Sequence, residues 1–126
     1  LSTNLADAYC GVAARWPDEP AIAAPAGNLT HRQMIERAAD LAGLFRDRGL
    51  RPGDRIGVAL TDNGEAFVAV LACWFCGASA LILDFRTRAG ERETLAGALG
   101  IRFVVQDRKA PGAGSYPALD VESGAS

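Results

Sequence analysis

The chain has 126 residues, 22% of them charged and 49% hydrophobic, with a formal net charge of −2. That length fits one domain or part of one, with enough chain to bury a real core. The apolar content excludes disorder over most of the chain. The near-neutral, slightly acidic balance excludes a broad basic face for nucleic acid, because little positive charge is left to attract phosphate.

Asn4 to Trp16 reads as a helix with Leu5, Ala8, Tyr9 and Val12 on one face, stopped by Pro17. Ala21 to Ala24 is a short apolar stretch. Pro25-Ala26-Gly27-Asn28 is turn chemistry, and Leu29-Thr30 returns, which together predict a small hairpin. Thr30 and Gln33 have the spacing of a capping box at a helix start. Met34, Ile35, Ala38, Leu41, Ala42 and Phe45 then fall on one stripe, with Arg32, Glu36, Arg37, Asp40 and Asp47 on the other side. Gly49 stands where a helix ends in a left-handed residue.

Arg51-Pro52-Gly53-Asp54 is a turn, and Ile56 to Leu60 has the apolar run of a strand covered on both faces. Asp62 or Asn63 caps a helix that runs to Cys76 and ends at Gly77. Ala80 to Leu83 predicts a second buried strand, Glu91 to Leu99 a helix closed by Gly100, and Ile101 to Val105 a third buried strand. Strands alternating with helices through short joints predict an α/β fold. It has three or more parallel strands with right-handed crossovers, helices on both sheet faces, and a helix and small hairpin in front. Residues 1–109 form this α/β unit. Residues 110–126, where Gly, Pro and Ser make up eight of 17, read as linker or loop. Ala118-Leu119-Asp120-Val121 has the pattern of a strand stub.

Ala66 to Leu83 carries no charge over 18 residues, the length at which a membrane span becomes a candidate. Gly77-Ala78-Ser79 splits it, and a helix followed by a buried strand is the preferred reading. No basic segment precedes an apolar one near Leu1, so no secretory signal is read and a cytoplasmic location is expected. Leu1 in place of Met points to a processed product or a cut piece.

Three cysteines do not make a disulfide framework. Cys73 and Cys76 form a Cys-x-x-Cys pair that suits redox chemistry or zinc, but they sit in an apolar helical run. Cys10 and His31 are far away in sequence for the four ligands of structural zinc. Buried, inert thiols are the expectation. No Ser or Cys has an evident base, and His31, in the first turn of a helix, reads as satisfied or solvated. No catalytic residue and no metal ligand is assigned.

Asp62, Asp84 and Asp107 each follow one of the three parallel strands, at the end of the sheet where open α/β folds bind ligands. Three carboxylates there suit magnesium, and Lys109 suits a phosphoryl group, which describes a stand-alone receiver-like phospho-acceptor or binding module. The plainer reading makes Asp62 a cap and the other two the start of solvated loops. Arg86 and Arg88 lie beyond the second strand, just before a helix start. An arginine fork beside free amides suits phosphate; the plainer reading pairs Arg86 with Glu91 or Asp84.

The order of motifs resembles the AMP-forming adenylate-forming enzymes: acyl- and aryl-CoA synthetases, peptide-synthetase adenylation domains and luciferases. Leu29-Thr30-His31-Arg32-Gln33-Met34 is similar to their Leu-Thr-Tyr-x-Glu-Leu segment. Gly49-Leu50-Arg51-Pro52-Gly53-Asp54-Arg55-Ile56 is similar to their Gly-Val/Leu-x-Pro-Gly-Asp-x-Val joint. Asn63-Gly64-Glu65-Ala66-Phe67 and Leu71 to Ala78 follow at family spacing. Departures are His31 for Tyr, Asp62 for Pro, and Ile82 and Phe85 for two prolines.

The resemblance implies a two-step ligase. A carboxylic acid attacks ATP, with Mg2+, to give an acyl-adenylate, and a thiol such as CoA then takes the acyl group. It further implies that this chain is about the first third of a larger N-terminal domain, inactive alone and prone to self-association through uncovered surface. The phosphate loop, the adenine- and ribose-binding motifs and a late lysine lie downstream in the family. Arg86, with Arg88 close by, matches an arginine that meets the CoA phosphates in some members.

Overall fold

The computed structural model describes residues 5–22, 29–83, 89–107 and 118–121. In these segments the elements are α1 (Leu5–Arg15), β1 (Pro20–Ile22), β2 (Leu29–Thr30), α2 (His31–Asp47), β3 (Arg55–Ala59), α3 (Asn63–Phe75), β4 (Ser79–Ile82), α4 (Ala89–Leu99), β5 (Val104–Asp107) and β6 (Ala118–Val121). β1 and β2 pair antiparallel, giving the expected hairpin. The other four strands form one sheet in the order β4-β3-β5-β6. All of its pairings are parallel, with Val58 opposite Ile82 and Val105, and Val105 opposite Leu119. The stub at Ala118 is thus a fourth strand of the sheet.

Local chemistry accounts for the long helix. Thr30 Oγ1 accepts from Gln33 N–H at 3.2 Å, and the Thr30 N–H donates to Gln33 Oε1 at 2.9 Å, closing the capping box. Met34, Ala38, Ala42 and Phe45 are buried, and Ile35 and Leu41 pack at the margin of the same cluster. Gly49 then takes a φ of +91° beyond the helix end.

Strand alternation divides the core into two unequal parts. Ile56, Val58 and Leu60 of the β3 segment join Phe45, Val68, Cys73, Phe103 and Val105 in the main cluster, beneath α2 and α3. Phe45 and Phe103 meet edge-on with ring centroids 5.5 Å apart. Ala59 and Val104 point to the other face, where with Ile101 they form a small cluster flanked by Leu81 and Leu83. Gly57 also belongs to that face. A Cβ there would stand 2.8 Å from Leu83 Cδ1 and 3.3 Å from Val104 Cγ2.

Four expectations are corrected. α1 buries Ala13 and half-buries Tyr9, while Ala8 and Val12 are exposed, because the helix leans on α2 and α3 through the Tyr9–Ala13 side. β4 is not a buried strand: it ends the sheet order, has one strand neighbour, and leaves Ile82 67% exposed. The third strand of the expected core starts at Val104 rather than Ile101, although Ile101 and Phe103 are buried just ahead of it. Finally, helices do not cover both faces equally. α4 is rich in Ala and Gly, and its Leu95 and Leu99 remain exposed, so it has little apolar stripe with which to cover the sheet.

No helix among the described residues is long and apolar enough to cross a membrane. α3 ends after 13 residues, and Gly77 turns the chain into β4.

Candidate functional site

β4 and β5 lie on opposite sides of β3, so the crossovers through α3 and α4 run in opposite directions. With the right-handed sense that such units take, the chain leaves β3 and β4 toward opposite faces. The strand order reverses between β3 and β5, so their carboxyl ends are the switch point at which open α/β sheets bind ligands.

Of the sequence candidates at that end, Asp62 is fully described. Its Oδ1 accepts from the Glu65 N–H at 2.9 Å, so it is the N-cap of α3, as the plainer reading has it. Asp107 is the last residue of β5 and pairs with Val121. Asp84, Arg86, Arg88 and Lys109 lie outside the described residues. Among the described residues no group of three His, Cys, Asp or Glu side chains could hold a metal ion. The three-carboxylate arrangement of the phospho-acceptor reading thus falls partly outside the described residues, and Asp62, its one fully described member, is committed to a helix end.

The first turn of α3 carries an ion pair that no spacing rule announces. Arg37 Nη1 of α2 donates to Glu65 Oε1 of α3 at 2.7 Å, across 28 residues of sequence. The pair bolts the start of α3 to the middle of α2. Burial raises the Glu65 carboxyl above the usual glutamate range and the neighbouring Asp62 adds to this, while Arg37 opposes it by charge and by its hydrogen bond.

At the start of α2, Tyr9 Oη and His31 Nδ1 stand 2.6 Å apart. Their rings are 5.4 Å apart and tilted. The first-turn histidine is satisfied by α1, in line with its expected role. The main chain holds the same corner: His31 N–H donates to the Glu19 carbonyl at 3.1 Å and Arg32 N–H to the Pro17 carbonyl at 2.9 Å.

The Arg51-Pro52-Gly53-Asp54 turn is a structural joint. Asp54 Oδ2 accepts from the Arg51 N–H at 2.9 Å and from Arg102 Nε at 3.4 Å. The Gly53 N–H donates to the Gly77 carbonyl at 2.9 Å, and the Ser79 N–H donates to the Asp54 carbonyl at 2.9 Å. The segment before β3 is thereby tied to the segment before β4 and to the approach to β5. The residue types follow from this: a proline that turns the chain, a glycine at φ +88°, and an acid that closes the turn on itself.

Cys73 and Cys76 are core thiols. Cys73 is fully buried, and burial pushes it up to about 12 with a further contribution from Cys76. Cys76 is buried and raised by the same cause, and its Sγ lies 3.5 Å from the Ala42 carbonyl oxygen. A thiolate is what would bind metal or attack, and neither group favours it.

The described residues therefore offer a set of clamps. Magnesium and a triphosphate need converging oxygen ligands and a cationic, glycine-rich cradle. Among the described residues no acidic, His or Cys cluster of the kind magnesium needs is present.

Comparison with known proteins gives this frame a context. The family described as AMP-binding enzyme matches residues 11–123. Enterobactin synthase component F of Escherichia coli K12 is 38% identical over 82 residues, covering 65% of this chain and 6% of that protein. An artificially fused adenylation–PCP di-domain nonribosomal peptide synthetase from Klebsiella oxytoca superposes with a TM-score of 0.83 at 20% identity, covering 94% of this chain and 23% of that one. The AMPPNP-bound form of the nonribosomal peptide synthetase FmoA3 superposes with a TM-score of 0.83 at 26% identity, covering 95% and 13%. The chain thus spans a small part of the length of each protein it resembles.

Proposed function

The chain belongs to the AMP-binding enzyme family, and we propose that it is the N-terminal portion of an adenylation domain. In this reading the parent enzyme is an acid–thiol ligase. It activates a carboxylic acid with ATP and Mg2+, releasing pyrophosphate, and passes the acyl group to a thiol. The observation that carries the reading is the family match over residues 11–123, which takes in the Gly49–Ile56 joint and the Leu71–Ala78 segment in family order. The FmoA3 likeness, with AMPPNP bound to that protein, supports ATP as the co-substrate.

The role of this chain within the ligase is support. Its capping box, its Arg37–Glu65 pair and the Gly53–Gly77 joint hold two helices and the sheet in fixed relation. The groups that handle the nucleotide come from elsewhere in the parent, so this chain alone has no adenylating activity. Its three free cysteines, two of them buried, are in keeping with a cytoplasmic setting.

A thiol on a carrier protein is the acceptor we favour over CoA. The support is the fused adenylation–PCP protein among the similar structures. CoA is the second reading, and what favours it is Leu83-Asp84-Phe85-Arg86, where Arg86 resembles a CoA-phosphate-binding position. The two are separated by offering the full-length enzyme, ATP and a panel of acids either CoA or a carrier protein, and detecting thioester by mass. Acyl-carrier product without acyl-CoA supports the first reading. Acyl-CoA formed at least as fast overturns it.

A further inference from the structure

We draw no further inference here: the strongest candidate, the exposed apolar edge of the sheet at Ile82 of β4, is unpartnered, and nothing in the structure shows what covers it.

Discussion

Gly53 and Gly77 join two of the segments that carry the family resemblance. The amide of Gly53 donates to the carbonyl of Gly77 at 2.9 Å, and both residues have left-handed φ values, +88° and +71°. At Gly77 the space is also limited, since a Cβ would lie 3.3 Å from Pro52 Cβ. Gly77→Ala should destabilise the chain by about 1–2 kcal/mol, the cost of a left-handed L-residue. Gly43, inside α2, has open space at its Cβ position and no such backbone demand. Gly43→Ala should stabilise by about 0.5–1 kcal/mol. Urea unfolding of the two variants checks both signs; equal effects would remove the joint's special status.

Much of this architecture is legible in the sequence because it is set by neighbours. The Thr30–Gln33 box, the Asp62 cap, the helix stops at Gly49 and Gly77 and the α2 stripe depend on residues a few positions apart, and all are found. The misreadings concern distant partners. Composition makes Ala80–Leu83 look fully buried, but burial depends on how many strands flank it, and β4 ends the sheet order. The face of α1 is set by where α2 and α3 stand, which its own weak pattern does not encode. Tyr9–His31 and Arg37–Glu65 join residues 22 and 28 apart and leave no periodic trace. At the candidate site, Asp62 is legible as a cap. Asp84, Arg86, Arg88 and Lys109 lie outside the described residues.

Glu65 predicts a pH effect of definite sign. Its carboxyl is raised above the ordinary value of 4.5 by burial first, then by Asp62. Between the unfolded and folded values the native state holds the extra proton, so this group's contribution to stability is present at low pH and is lost as pH rises through the folded value. Glu65→Gln should remove that downward slope. Denaturant midpoints measured from pH 4 upward test it. A contribution from Glu65 that grows with pH would reverse the assignment, and Arg37→Ala should make the native slope steeper.

The cysteines predict a labelling pattern. Cys73 and Cys76 are buried and raised, while Cys10 is only half-buried. A thiol reagent at neutral pH should modify at most one cysteine per folded chain, and all three after unfolding. Fast labelling of Cys73 in the folded protein, or stoichiometric zinc in a metal assay, would refute inert core thiols.

Arg86 bears on the acceptor. If the parent uses CoA, Arg86→Ala in the full-length enzyme should raise the KM for CoA, by at most the roughly 1.5–3 kcal/mol of a charged hydrogen bond. Adenylation should be nearly unchanged. If the acceptor is a carrier-protein thiol, neither half-reaction should respond. Equal loss in both would assign Arg86 to folding.

Acid-dependent exchange of pyrophosphate into ATP tests the central claim most directly, because it reads adenylation without needing the acceptor. The full-length enzyme should exchange with its acid, and the purified 126-residue chain should stay at background with the same acids, ATP and Mg2+. Exchange above background by the chain alone would contradict the account, since these residues would then carry the nucleotide chemistry here assigned to the rest of the enzyme.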